Sequence, residues 1–337
     1  MKSKVKNIAN IGILIIITGL VLYFSLKDNF TEIINQILNL NVGFLLIAFV
    51  LLFLYFIFRT YTMYSFCKKI NENFKFSTSF ILILRTQFFN AVTPFATGGQ
   101  PYQIYYLKQN GINYVNSTSI VIENFIVYQI ALVILGIVSL IVNKIFHIFT
   151  KVYILQKLIA LGFIINLLVI ILMFVLAFSK KINKFLINLG ISVLTKFNVV
   201  KDKEEKIKEW DKKLADFNKS GKILLKDRKL FIFNIVCSFI ALTCLYLIPL
   251  FILYSMGDFF SVTPGVGIVT SAYIMIIGSF VPIPGGTGGL EYGFIQFYGN
   301  FIKGSMLSAA MLVWRFVTYY FGMIIGAIAL YIKKVKK

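Results

Sequence analysis

Six apolar runs, at roughly 8–26, 41–58, 115–142, 152–178, 230–256 and 305–331, set the terms for this chain. Each is near or above the ~20 residues an α-helix needs to cross a hydrocarbon core. Lipid offers no hydrogen bonds, so each crossing segment must satisfy its own backbone, and a helix does so. With 58% hydrophobic residues and a mean hydropathy of +0.84, a water-soluble globule is excluded. The net charge of +21 lies almost wholly in loops and tails between the apolar runs. It reads as a topology signal and an attraction to anionic headgroups, not as a nucleic-acid site. Of the three cysteines, Cys237 and Cys244 sit seven apart in one run, too far along a helix to bridge, so no disulfide framework is expected.

Two other apolar pieces, about 76–110 and 264–302, are interrupted. Residues 281–293 read Val-Pro-Ile-Pro-Gly-Gly-Thr-Gly-Gly-Leu-Glu-Tyr-Gly. Pro282 and Pro284 break a helix by ring clash and a missing donor. Gly285, Gly286, Gly288 and Gly289 free the backbone to turn and admit a close neighbour. A weaker copy lies upstream, Thr93-Pro94-Phe95-Ala96-Thr97-Gly98-Gly99-Gln100-Pro101. Broken helices at membrane depth must be buried in protein or line a wet cavity, and a pair of them marks a transporter's binding site.

Lysines decide how the broken pieces lie. Residues 180–229 hold fifteen Lys/Arg against seven Asp/Glu. Lys2, Lys4 and Lys6, the turn with Lys68, Lys69 and Lys75, and the tail at 333–337 are basic too, and all should face the cytoplasm. If 76–110 crossed once, the basic stretch at 180–229 would land outside; a hairpin entering from and returning to the cytoplasm keeps every basic segment inside. The same count makes 264–302 a hairpin dipping in from the outside. Residues 41–142 and 230–331 then carry the same units in opposite orientation, an inverted-topology repeat. The expected fold is an all-α integral membrane protein: about six transmembrane helices plus two re-entrant broken-helix hairpins. It forms one polytopic domain over 1–337. The run at 8–26 is an uncleaved first span, 152–178 links the repeats, and 180–229 is a cytoplasmic basic linker. Within that linker, Ile207, Trp210, Leu214 and Phe217 make an amphipathic stripe that reads as lying on the inner leaflet.

Four ionisable side chains fall inside apolar sequence: Arg85, Glu123, Glu291 and Arg315. Each costs roughly 2.5–3.5 kcal/mol at mid-bilayer and must face protein or water and find a partner. Glu123 lies 29 residues after Pro94 and Arg315 lies 31 after Pro284, nearly equivalent places. Two buried ion pairs would account for the set. So would a polar chamber holding a lipid headgroup, with an arginine on its phosphate and a carboxylate on any cationic part. The half-helices after each break add free N–H groups and a positive dipole end, which favour phosphate. Pro101 suits the first position of such a helix and Glu291 its first turn. The candidate substrate-binding set is therefore Arg85, Thr93, Pro94, Gly98, Gly99, Gln100, Glu123, Pro284, Gly285, Gly286, Gly288, Gly289, Glu291 and Arg315. Gln87 and Asn90 are further candidates for the chamber wall. The Gly-Gly-Thr-Gly-Gly run lacks a P-loop's Gly-Lys-Ser/Thr ending, so no nucleotide is expected. Neither a metal nor any other cofactor is indicated, and no catalytic residue is assigned.

These two motifs carry a resemblance. Thr93 to Pro101, followed by Tyr105-Tyr106-Leu107-Lys108 and Gly111, resembles one signature of the lysylphosphatidylglycerol synthase transmembrane-region family. Pro282 to Glu291 resembles the second. The family includes the flippase domain of the bacterial multiple peptide resistance factor and occurs as a stand-alone protein. The resemblance implies a lipid flippase of the cytoplasmic membrane that moves a phospholipid, aminoacylated or glycosylated forms included; the basic ends of the chain place both termini inside. Its partners are then anionic or modified lipid headgroups, with room for a homo-oligomer and for a separate lipid-modifying enzyme. No aminoacyl-transferase sequence accompanies the membrane region, so the chain is not expected to be an enzyme by itself. The alternatives are a membrane-embedded lipid-linked glycosyl or aminoacyl transferase, and a non-catalytic membrane scaffold.

Overall fold

The structure is a computed structural model describing residues 30–149, 153–178, 227–279 and 281–332, with isolated positions between 184 and 210. The first apolar run, 8–26, lies outside the described residues, as does nearly all of the linker at 180–229, including Leu214 and Phe217 of its amphipathic stripe. Among the described residues there are helices and no strands. They are α1 (Phe30–Leu38), α2 (Val42–Ile70), α3 (Phe76–Ala91), α4 (Gly99–Gln109), α5 (Tyr114–Phe146) and α6 (Tyr153–Phe178). After the linker come α7 (Arg228–Ser255), α8 (Pro264–Ser279), α9 (Gly289–Tyr298), α10 (Gly304–Arg315) and α11 (Phe321–Tyr331).

Among the described residues, four stretches meet both length and apolarity for spanning a membrane: α2, α5, α7, and α10–α11 joined through a π-helical turn at Phe316–Tyr320. These match four of the six runs read from the sequence, and α6 covers a fifth. Their outward faces are greasy at helical spacing: Leu46, Val50 and Phe53 on α2, and Leu161, Ile164, Leu168 and Ile171 on α6, are exposed. Meanwhile Glu123, Asn124, Asn234, Glu291 and Arg315 are buried. A soluble protein shows the reverse. The chain is an all-α, multi-pass membrane protein.

Side-chain caps set the starts of the long helices. Asn41 accepts from Gly43 N at 2.9 Å, Asn113 from Asn116 N at 2.8 Å, and Asp227 from Leu230 N at 3.1 Å. Helices α2 and α7 run antiparallel along their whole length as the central pair. Asn41 N donates to Ser255 O at 2.7 Å at one end, Ser65 Oγ to Asn234 Oδ1 at 2.8 Å further along, and Lys69 Nζ to Asp227 Oδ2 at 2.8 Å at the other. Lys68, Lys69, Arg228 and Lys229 are thereby gathered at one end of the molecule. Lys69 holds the exposed Asp227 carboxyl below its ordinary 3.8, aided by the Leu230 N–H. A depressed carboxylate contributes stability that is present above pH 3.8 and is lost as pH falls through the lower, folded value. Thermal melts of wild type and Lys69→Met are expected to differ slightly at neutral pH and to converge in acid. An unchanged difference in acid would show that the pair contributes nothing through Asp227.

Neither α3 nor α4 is a span: 16 and 11 residues reach about 24 and 16 Å, short of a ~30 Å hydrocarbon core. They fold back on each other. The rings of Phe89 and Tyr102 stack at 4.1 Å, Gln103 Nε2 donates to Thr86 Oγ1 at 3.3 Å, and the Arg85 guanidinium lies over Tyr106 at 5.0 Å. Helices α8 and α9 make a second hairpin. Ser271 meets the Tyr298 hydroxyl at 3.4 Å, and Gly278 backs onto Leu290 near the break. The order long helix, short helix, break, short helix, long helix thus occurs twice.

The two breaks share a backbone. Each is a 3-10 turn, Pro94–Ala96 and Pro284–Gly286, closed by a threonine whose hydroxyl donates to the proline carbonyl, Thr97 at 3.0 Å and Thr287 at 2.9 Å. Left-handed φ values of 67° and 63° fall on Gly285 and Gly286, but the corresponding 53° and 52° fall on Phe95 and Ala96. Only glycine adopts such angles without cost, and a non-glycine residue there stores of order 1–3 kcal/mol. Ala96→Gly is therefore expected to stabilise the fold by about 1 kcal/mol in thermal or denaturant unfolding, after glycine's extra unfolded-state entropy is subtracted. A destabilised variant would mean that the turn is not strained.

Candidate functional site

The breaks touch each other. Beside them lies a cavity of about 480 Å³, within the range of small-ligand sites. Gly285, Gly286, Phe95 and Ala96 line it from the breaks, and Gln87, Asn90, Tyr128, Gln129, Asn166, Ser279, Thr318 and Arg315 give it polar character. The hydroxyl of Tyr319 donates to Ala91 O at 3.0 Å, fastening the long second-half helix to the first hairpin. A Cβ on Gly285 would fall 2.2 Å from the Tyr319 ring, so here close approach as well as positive φ demands glycine.

Arg315 is the charge on the cavity wall. It is 3% exposed, at the junction of α10 and the π turn, and its Nε lies 2.7 Å from Glu291 Oε1, the N–H not aimed at that oxygen. Its Nη2 donates to Gly285 O at 3.2 Å and to Thr287 Oγ1 at 3.3 Å. Its guanidinium stands 4.5 Å over the Tyr319 ring. The other Glu291 oxygen accepts from Gly288 N at 2.7 Å, capping α9 from its third residue. One carboxylate therefore ends the break and fixes the arginine together. A carboxylate and guanidinium both removed from water survive only with such added hydrogen bonds.

The four charges singled out in the sequence do not form one cluster. Arg85 is engaged by the end of α11, donating to Ala329 O at 2.9 Å and Ile332 O at 2.7 Å, and to the Tyr102 hydroxyl at 3.2 Å. Glu123 is 1% exposed; Oε1 accepts from Ser119 Oγ at 3.1 Å, and Oε2 has no hydrogen-bond partner among the described residues. Neither lines the cavity. Thr93 clasps its own turn, accepting from Gly98 N at 2.8 Å and donating to Phe89 O at 2.7 Å. Gly98 and Gly99 let the hairpin close, since a Cβ on them would meet Phe89 O at 2.8 Å and Asn90 Oδ1 at 2.1 Å. Pro94, Pro284, Gly288 and Gly289 shape the breaks, and they and Gln100 stand off the cavity wall. Helix α4 begins at Gly99, so Pro101 occupies its third position rather than its first, still within the turn whose N–H groups have no helical partner.

Sequence reasoning missed Arg59, which lies one residue past the apolar run assigned to the second span. Its Nη2 donates to Asn124 Oδ1 at 3.2 Å, and it stands 4.4 Å over the Tyr128 ring. Thr287 was missed as well. Its only signal was its equivalence to Thr97 within the matching Pro-x-x-Thr-Gly-Gly strings.

A search of curated proteins finds no match for the chain. The profile of one protein family, described as lysylphosphatidylglycerol synthase TM region, matches residues 10–326. That match takes in both breaks, both hairpins and the cavity they enclose. The chain therefore belongs to the lysylphosphatidylglycerol synthase TM region family.

Proposed function

We propose that this chain is a flippase of the cell membrane, passing a phospholipid headgroup, aminoacylated or glycosylated forms included, between leaflets while the acyl tails stay in lipid. The observation carrying this reading is Arg315, a buried guanidinium on the wall of a cavity where two broken helices meet. A phosphate entering the cavity finds a charge already paid for by Glu291 and backed by the Gly285 carbonyl. The family ties the chain to membrane-lipid chemistry.

In this reading the hairpins α3–α4 and α8–α9 are re-entrant, one from each face, and the halves 41–142 and 230–331 are an inverted repeat. Two observations support it: the short lengths of these helices, and the return of the chain after α4 to Gly111, close beside Asn71 where the first hairpin began. Both termini and the basic linker are then cytoplasmic. Alternating access follows from rocking the hairpins against the α2–α7 pair. No bond of the lipid is broken, so the reading is not enzymatic. Its test is reconstitution with fluorescent anionic phospholipid in one leaflet. The protein is expected to speed exchange at least tenfold over protein-free vesicles, and no acceleration would remove the proposal.

A further inference from the structure

We infer that Arg59 is a second anion-binding station for the phosphodiester of the lipid, screened from the cavity by the ring of Tyr128. The inference rests on the flippase reading and names the next place the headgroup goes. Among Arg59, Arg85 and Arg315, Arg59 is the least satisfied. Arg315 has a carboxylate and Arg85 has two carbonyls. Half-buried Arg59 has, among the described residues, one neutral amide oxygen, on Asn124, and an aromatic face; its Nη1 is buried with no hydrogen-bond partner among them, and no carboxylate there pairs with it. A guanidinium has five donors, and leaving them unmet away from water is costly unless an anion visits. Asn124 is a weak holder. Its own Nδ2 is spent on Thr62 Oγ1 at 3.2 Å, which fixes the amide but brings no charge to Arg59.

Position supplies the second argument. Tyr128 lines the cavity, and so do Tyr55 and Phe56, one turn away from Arg59 on α2. The Tyr128 ring, itself part of the cavity wall, stands 4.4 Å from the guanidinium. Counted at 1.5 Å per residue, Arg59 is roughly 16 Å from the Ile70 end of α2, and Arg315 roughly 16 Å from the Gly304 end of α10. These ends face opposite sides, because Lys69 sits with Asp227 while α10 packs on α1 beside the start of α2. The two guanidiniums are thus stepped along the membrane normal by on the order of 10 Å. Two stations of moderate strength let a charged group enter and leave, where a single strong one would trap it.

The test uses full-length protein in vesicles, comparing fluorescent phosphatidylglycerol with a zwitterionic phosphatidylcholine analogue. Arg59→Gln is expected to slow phosphatidylglycerol exchange at least tenfold and to slow the zwitterionic lipid less, with Arg59→Lys partly restoring it. Asn124→Asp separates this from a structural role. A carboxylate there ties Arg59 down, so helix packing tightens while transport falls as in Arg59→Gln. If Asn124→Asp is more heat-stable and transports at the wild-type rate, Arg59 is only a strut and the inference fails. If Arg59→Gln transports normally, the inference fails while the flippase reading stands; if wild type moves no lipid, that reading fails first. Excess inorganic phosphate is expected to leave the wild-type rate unchanged. Inhibition that disappears in Arg59→Gln would assign the station to free phosphate and overturn the lipid form.

Discussion

Replacing Glu291 by alanine is expected to cost the fold about 3–5 kcal/mol, the usual penalty for stranding one member of a buried ion pair. Arg315, 3% exposed, would lose its carboxylate, and Gly288 N would lose the acceptor that caps α9. The gentler Glu291→Gln keeps an acceptor for Gly288 but not the charge, so its loss should be smaller. Glu291→Leu with Arg315→Met removes both charges and fills the space. That double variant is expected to recover most of the stability, because apolar replacement of a whole buried pair is often neutral or better. It should not recover transport, since the cavity then holds no cation at the breaks. Denaturant unfolding in detergent and lipid exchange in vesicles read the two quantities separately. A loss below about 1 kcal/mol in Glu291→Ala would mean that water reaches the arginine and that the pair is not a buried one.

Gly326→Ala is the second large effect, with an expected cost of about 1–3 kcal/mol from overpacking and further loss at Arg85. A Cβ at Gly326 would stand 2.7 Å from both Leu84 O and Phe88 N. Those are backbone atoms of α3 and cannot rotate aside. Helix α11 would have to lift away from the hairpin, pulling Ala329 O and Ile332 O off Arg85. Gly136 is the control. Its added Cβ would meet the Phe163 ring, also closer than any real contact, but a side chain has rotamers to offer. Gly136→Ala is therefore expected to cost less than Gly326→Ala in the same unfolding assay, and the reverse order would show that α11 and α3 are free to separate.

Hydropathy made the spanning helices legible because burial in lipid is decided residue by residue along one segment. The runs at 41–58, 115–142, 230–256 and 305–331 all appear as helices, extended where polar ends such as Thr60 to Ile70 continue the hydrogen-bond ladder past the greasy part. Pro94, Pro284 and the glycines around them announced the breaks, since ring clash and positive φ are local properties of the backbone. Arg59 escaped notice for the same reason that the runs were visible. It fell just beyond an apolar window, and nothing local distinguishes a cation that turns inward from one that reaches the interface.

Partnership was a different matter. Reading Arg85, Glu123, Glu291 and Arg315 as one set followed from their depth alone, and depth says nothing about azimuth. Folding brought Arg315 to Glu291 across an intervening helix start, gave Arg85 to the carbonyls at the end of α11, and left Glu123 with Ser119. By itself the sequence determined that this is an all-helical membrane chain with two interrupted segments, because hydrophobicity, proline and glycine act through bonds and neighbours a few residues away. Which charge answers which, and where the breaks leave a cavity, was decided only by the tertiary structure. Those outcomes depend on contacts between residues tens to hundreds of positions apart, whose geometry no local pattern encodes.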